Sequence, residues 1–307
     1  MNVNKKGLYF TLLIFVIGVM ICFGVLIASE FDFSKFSTDQ NIEKKEINLT
    51  ITDIEEFQFI IDNASINVTE SSDDQLHITY YESNKLTYEV TTTEGKVVMQ
   101  QIKSMKWYDY IGINFFNESI NIKIPISFTK SLHVTTDNST IDFKNLTHLD
   151  SITANTKNAT IDFDYVTTTN DIYCKTTNSV VEVNEVTCAN LTVLTTNSEV
   201  NIEDATISDK LICETSSGII YLDNVIASSI DAKNDNGMID INDIVANNII
   251  LATTNGIITG NIIGNKSDYK ITSSVTNGMN NLPSYKADGD KYLEVSTSNG
   301  MIDIDFK

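Results

Sequence analysis

The chain has 307 residues and a formal charge of −20, from 41 acidic side chains against 21 cations, every one of them lysine because no arginine occurs. That balance excludes a duplex-binding surface, which needs Lys and Arg to displace counterions from phosphate, so no nucleic acid is expected as a partner. It also excludes chemistry built on a bidentate guanidinium fork, while 42% hydrophobic residues with 13 Gly and 2 Pro suit a packed core rather than proline-rich disorder.

The first predicted element is the apolar, uncharged run Leu8–Ala28. At 1.5 Å rise, about 20 such residues cover the roughly 30 Å hydrocarbon layer, which predicts one transmembrane helix. Lys5 and Lys6 precede it and Glu30 and Asp32 follow it. The expected protein is therefore single-pass in the plasma membrane, with residues 1–7 cytoplasmic, 8–28 spanning and the C-terminal domain extracellular. The competing reading, a cleaved signal peptide, asks for a shorter apolar segment and a small-x-small site, which Leu26-Ile27-Ala28 does not provide.

Residues 29–45 are mixed polar and read as a stalk. Residues 46–130 read as an N-terminal β cap. Within it Phe57, Phe59, Ile61, Asn63, Ile66 and Val68 form a first rung, and Ser71–Asp74 and Thr93–Gly95 suggest two hairpins with strands near 76–81, 85–92 and 96–102. A wetter stretch, Ser104–Gly112, carries Trp107, Tyr108 and Tyr110, and the strand Ile120–Ile124 leads into Pro125.

Residues 131–307 repeat. An Asn followed by Ser, Ala or Gly recurs at Asn138, Asn158, Asn178, Asn197, Asn236, Asn255, Asn277 and Asn299, with Ser217-Gly218 in the missing slot. The spacings are 20, 20, 19, 20, 19, 19, 22 and 22. Six and four residues before each Asn stand apolar or small side chains, three after it apolar ones with Asn280 the exception, and five after it apolar ones with Gly260 in one slot. Alternation at period two on both sides of a turn means two short strands, each with one buried face. Asn and Gly at the corner are expected to supply left-handed backbone. A 20-residue unit cannot bury its own apolar face, whereas stacked units bury one another's. The fold class is all-β, a β-solenoid (β-helix-like) of about 20-residue rungs some 4.8 Å apart.

With the strand pair at 57–68, the Ile124-Pro125 strand end and the reiterated Leu-x-Val-x-Thr-x-Asn-Gly-x-Ile-x-Ile, residues 46–307 resemble the putative-adhesin domain of bacterial and archaeal membrane-anchored proteins, a domain of unknown function. The resemblance implies a surface-exposed β-helical domain and brings no catalytic residues. Its members commonly place Ser-Gly at the corner, where this chain mostly has Asn-Ser or Asn-Gly.

Candidate chemistry is sparse, and no catalytic, cofactor or metal residue is assigned. Cys174 and Cys213 share an inward row two rungs apart, about 9.6 Å, beyond disulfide reach. Cys188 occupies another rung position, and Cys22 lies in the apolar run. His77, His133 and His148 show no ligand spacing. Asp142, Asp162 and Glu182, with Asp240 and Asp303 further on, share one outward position on successive rungs. That row reads as a solvated face relieved by Lys144, Lys157 and Lys175, with a weak Ca²⁺ site as the sharper hypothesis and a hydrolytic carboxylate pair as a third. Asn63, Asn138 and Asn158 are corner residues whose amides could hydrogen-bond as a ladder. Asn48, Asn117 and Asn265 are the better glycan acceptors among nine sequons, a number close to chance.

The function expected is an adhesin-like, membrane-anchored structural or ligand-binding module without catalysis. Expected partners are the membrane through one helix, a surface glycan or cell-wall polymer, and another copy of the chain. The alternatives are a self-assembling scaffold, prompted by an array that runs to Asp305-Phe306-Lys307 without an obvious cap, and a carbohydrate-active β-helix enzyme, which the missing Arg disfavours.

Overall fold

The computed structural model describes residues 5–31, 42–83, 86–103, 119–286 and 289–307. Trp107, Tyr108, Tyr110 and Asn117 lie outside these residues. Among the described residues a helix α1, Lys5–Ala28, is followed by nineteen strands in one hydrogen-bonded system. Among the described residues no helix is long and apolar enough to cross a membrane. This corrects the expected single-pass plasma-membrane topology, with its cytoplasmic N-terminus, span over 8–28 and extracellular C-terminal domain.

The strands are β1 (Glu43–Thr50), β2 (Glu56–Ile61), β3 (Ser65–Glu70), β4 (Gln75–Glu82), β5 (Leu86–Thr93), β6 (Lys96–Lys103), β7 (Ser119–Ile124), β8 (Ser131–Thr136), β9 (Ile141–Leu149), β10 (Ser151–Asn155), β11 (Ile161–Thr168), β12 (Asp171–Lys175), β13 (Val181–Leu194) and β14 (Val200–Glu203). Then come β15 (Thr206–Asp223), β16 (Ile226–Ile244), β17 (Asn248–Ile262), β18 (Tyr269–Asn280) and β19 (Lys291–Phe306). Strand β1 begins inside the stretch expected as a stalk. Successive rungs pair in parallel with the register the repeat predicts: Leu132, Ile152, Ile172, Leu191, Leu211, Ile230 and Ile249 align across neighbouring strands. These side chains are almost wholly buried in one continuous core, and each Ile or Leu removed from water contributes about 1.5–3 kcal/mol. Phe143 and Phe163 stack at 4.7 Å between ring centroids.

Both ends depart from sequence order. Strands β2 and β3 do not begin the stack, because β6 and β7 pair on their outer side and β8 and β9 on their inner side. Of the two expected hairpins only β5–β6 is made; β4 pairs antiparallel with β7 and β1 rather than with β3. At the other end β19 lies between β17 and β18, so the last strand in sequence is internal and β18 closes the stack. Segment 281–286 then folds back across the outer edge of β18, where Ile271 and Tyr285 exchange backbone hydrogen bonds of 2.8 and 2.9 Å. This explains Asn280. In a terminal rung the inward positions face water, and Asn280 Nδ2 donates to Ser273 Oγ at 2.9 Å across the open end of the core. The array therefore ends at β18 and not, as expected, at 305–307.

Corners come in two kinds. Up to Asn197 the strands break at the corner, and Ser139, Ala159, Ser179 and Ser198 follow the Asn. From β15 onward each strand runs through the corner, and Gly218, Gly237, Gly256, Gly300 and Gly278 stack. A Cβ on Gly256 would lie 1.6 Å from the Gly237 carbonyl oxygen, so only glycine fits there. Of the expected left-handed backbone at the corners, the Asn residues show none, whereas the corner glycines Gly218, Gly278 and Gly300 have positive φ of 151–155°. A second set lies seven residues later, at Asn145, Tyr165, Glu185, Asp204, Asn224 and Asp243, with φ between 50° and 56°. These are the second corners of the rungs.

A candidate binding face on the strands after the corner

The expected acidic row forms in register. Asp162 sits between Asp142 and Glu182 on adjacent parallel strands, and the row continues through Asn201, Tyr221, Asp240, Thr259 and Asp303. Alternation places these side chains on the outer face while their chain neighbours fill the core. Burial raises the pKa of Asp162; Lys144, 3.7 Å away, opposes this, and Asp142, Glu182 and Asp164 add to it. Of the three lysines expected to relieve the row, Lys144 does so. Lys157 instead pairs with Asp137 at the corner, at 2.8 Å, and Lys175 has no ion pair among the described residues.

A second column, two residues further along each strand, was not singled out in the sequence. It holds Lys144, Asp164, Asn184, Glu203, Asp223, Asn242 and Asn261. Here amides donate to carboxylates or amides of the neighbouring rung. Asn184 donates to Asp164 at 3.1 Å, Asn242 to Asp223 at 2.6 Å and Asn261 to Asn242 at 2.7 Å. Asn201 donates to Glu203 at 3.1 Å and ties the two columns together. The signal was available, since Asn or Asp recurs six residues after the corner Asn.

The expected ladder forms and extends further. Asn138 donates to Asn63, Asn158 to Asn138, Asn178 to Asn158 and Asn197 to Asn178, at 2.7–2.8 Å. After the gap at Ser217 a second run joins Asn236, Asn255, Asn299 and Asn277 at 2.8–2.9 Å, in that spatial order. The Thr two before the corner, unassigned in the sequence, ties rungs from inside: Thr136 Oγ1 donates to the Asp62 carbonyl at 3.1 Å and Thr215 Oγ1 to that of Ser198 at 3.1 Å.

The histidines stay apart. His77 joins β1 to the β3–β4 turn, with Nδ1 2.5 Å from Asn48 Oδ1 and Nε2 2.7 Å from Asp73 Oδ1. Asn48 is thereby engaged through Oδ1 and is exposed. His133 lies half-exposed, 3.9 Å from Glu56. The His148 side chain is 7% exposed, with Nδ1 3.4 Å from Glu70; burial lowers its pKa and Glu70 opposes the shift. Cys174, Val193 and Cys213 align on consecutive rungs. All three thiols beyond residue 30 are free and buried; burial raises Cys174 and Cys213 well above the ordinary thiol value and pushes Cys188 up to about 12. Such thiols pack as small apolar groups. Among the described residues no group of three or more His, Cys, Asp or Glu is arranged to hold a metal ion.

Chemically, the face offers fixed amide and carboxylate pairs at one-rung intervals. Such pairs match the donor–acceptor pattern of neighbouring hydroxyls, while the excess of carboxylates opposes polyanions. A family model described as Toastrack DUF4097 matches residues 54–305. Among solved structures the chain is similar to a "putative lipid binding protein" from Parabacteroides distasonis (13% identity, 86% of this chain and 97% of that one, TM-score 0.47). It is also similar to a "putative adhesin" from Parabacteroides merdae (14%, 86% and 96%, 0.45) and another from Bacteroides fragilis (14%, 88% and 99%, 0.42). No curated protein matches the chain.

Proposed function

We propose, from the premise that the chain belongs to the Toastrack DUF4097 family, that it is an adhesin-like binding module that holds a glycan or cell-wall polymer without transforming it. One observation carries this reading: the two outward columns of carboxylates and amides stay in register from β9 to β16. A polymer with hydroxylated repeats meets the same pairs again and again. Each contact is weak in water, and linkage along one polymer makes later contacts effectively intramolecular, so affinity rises by avidity.

The test is an array of neutral oligosaccharides of graded length, probed with the full chain and with a triple variant, Asn184→Ala, Asn242→Ala and Asn261→Ala. The expected signal grows with oligosaccharide length and falls in the variant. Silence on the array together with silence on whole cells overturns the proposal, and release of new sugar ends from any polysaccharide replaces it with an enzyme.

Self-association is a second reading. Among the described residues, strand β18 is covered by residues 284–285 only at Ile271 and Ser273, which leaves Val275 to Met279 as an edge able to pair with a second copy. Sedimentation as a concentration-independent monomer would remove it.

A further inference from the structure

The terminal rung and the segment folded across it enclose a cleft of about 480 Å³, lined by Lys270, Ile271, Thr272, Ser284, Tyr285 and Lys286. No carboxylate lines it, although the chain carries 41. Several other lysines find acids, Lys96 with Glu56, Lys130 with Glu55, Lys157 with Asp137, Lys233 with Asp231 and Lys307 with Asp243, all at 2.7–2.9 Å, while Lys123, Lys175, Lys266 and Lys291 are without an ion pair among the described residues. Lys270 and Lys286 have no ion pair among the described residues. The neighbouring carboxylate, Glu294, stands beside Thr272 across the β18–β19 pair and accepts a hydrogen bond from the Tyr292 hydroxyl at 2.9 Å. Tyr285 is 44% exposed, held in place through its backbone bonds to Ile271.

We propose that this cleft is an anion-recognising sugar site, taking a carboxylated monosaccharide unit with its carboxylate between Lys270 and Lys286 and its ring against Tyr285. The reasoning is electrostatic first. Two ammonium groups on one cleft repel each other, and a carboxylate placed between them converts that repulsion into two charge-assisted contacts. The aromatic ring supplies the apolar surface that a sugar's C–H face requires, and the Thr272 hydroxyl, which bonds Tyr292, can still accept from a sugar hydroxyl, whereas the Ser284 hydroxyl is held by the Ser273 backbone. The placement matters too. Over the acidic columns an anion would be repelled, whereas at the end of the stack the row's last member, Asp303, already accepts a hydrogen bond from Asn281 Nδ2 at 2.6 Å. An isolated carboxylate, such as that of one uronic-acid unit, fits here better than a polyanion. The site rests on the reading of the chain as a glycan-binding module and adds the class of sugar that one end selects.

The experiment is an NMR titration of the full chain with D-glucuronate, with D-glucose and inorganic phosphate as comparators. D-glucuronate should bind in the millimolar range, weaken several-fold as salt rises from about 0.02 to about 0.2 M, and shift the signals of Tyr285 and Thr272. Lys270→Gln with Lys286→Gln should weaken it at least about tenfold, as should Tyr285→Ala, while Tyr285→Phe keeps most of it. All six lining residues except Ile271 are exposed, so these variants should fold, and Lys286→Gln alone gives an intermediate loss as a check. D-glucuronate binding no tighter than D-glucose overturns the site. So does phosphate binding as tightly as D-glucuronate without dependence on Tyr285, which would leave a bare anion site. Loss of D-glucuronate binding with retained array signals overturns this site alone; loss of both removes the binding reading as well.

Discussion

The amide ladder permits a comparison within one structure. Asn158 is interior: it donates to Asn138 at 2.7 Å and accepts from Asn178 at 2.8 Å. Asn197 ends the run: it donates to Asn178 at 2.8 Å and meets Ser217, which carries no amide, on the next rung. A net hydrogen bond contributes about 0.5–1.5 kcal/mol, and exposed amides that compete with water belong in the lower half of that range. Asn158→Ala should therefore cost about 1–2 kcal/mol and Asn197→Ala about half as much. Both substitutions remove an Asn from equivalent corners, so local backbone preference largely cancels between them. Urea unfolding followed by circular dichroism, with the slope checked for constancy, gives the two values. Equal losses, or a larger loss at Asn197, would refute the claim that the amides act as a ladder.

Other predictions follow from individual groups. Asp162→Asn should stabilise the protein by roughly 0.5 kcal/mol near neutrality by removing like charge across strands. Because the folded pKa of Asp162 is raised, the ionised form is the disfavoured one in the fold. The gain should therefore be absent below the unfolded value of about 3.9 and develop as pH rises through the folded value, which unfolding at several pH values reads directly. His148 has the opposite sense: its folded pKa is lowered, so the stability it contributes is present above the unfolded value of about 6.5 and lost as pH falls through the folded value. His148→Gln should flatten that acid slope in thermal melts. Gly256→Ala should cost about 3 kcal/mol, because the added Cβ meets the Gly237 carbonyl. By contrast, Ser198→Ala at a broken corner should change stability by less than about 0.5 kcal/mol, and similar losses at the two corners in urea would contradict the distinction between them.

The regular part of the fold was legible because its physics is local and repeated. Period-two alternation specifies which side chains face inward, and a 19–20-residue period then fixes the register, so Cys174 and Cys213 could be placed on one row two rungs apart. What escaped was non-local. Nothing in alternation says whether the rung around Asn277 or the one around Asn299 lies outermost, since both carry the same corner. The available hints were the two 22-residue spacings and Asn280, a polar residue where an apolar one was due, and both make sense once β18 is terminal. The same holds at the start, where β2 and β3 look like a first rung but are covered by β6 and β7. Left-handed residues escaped for a different reason. Glycine at the corner signals close approach between stacked carbonyls as well as left-handed backbone, whereas Tyr165 and Glu185 adopt left-handed conformations that their side chains do not advertise. The acidic row was visible, and its companion column left a weaker signal, Asn or Asp recurring six residues after the corner, that is blurred by Lys144 and Glu203 and becomes one feature only through its hydrogen bonds. The lysine-lined cleft depends on the fold-back of 281–286 and had no sequence signal beyond Lys270 and Lys286 themselves.

The polar end of the core, the cleft beside it and the free edge of β18 all depend on the order in which the last three rungs stack. That order can be read from nuclear Overhauser contacts among the side-chain amides of Asn255, Asn277 and Asn299 in an isotope-labelled sample. With β19 between β17 and β18, Asn299 should show contacts to both Asn255 and Asn277, and those two should show none to each other. Contacts from Asn277 to both of the others, the order the sequence alone suggests, would contradict the account.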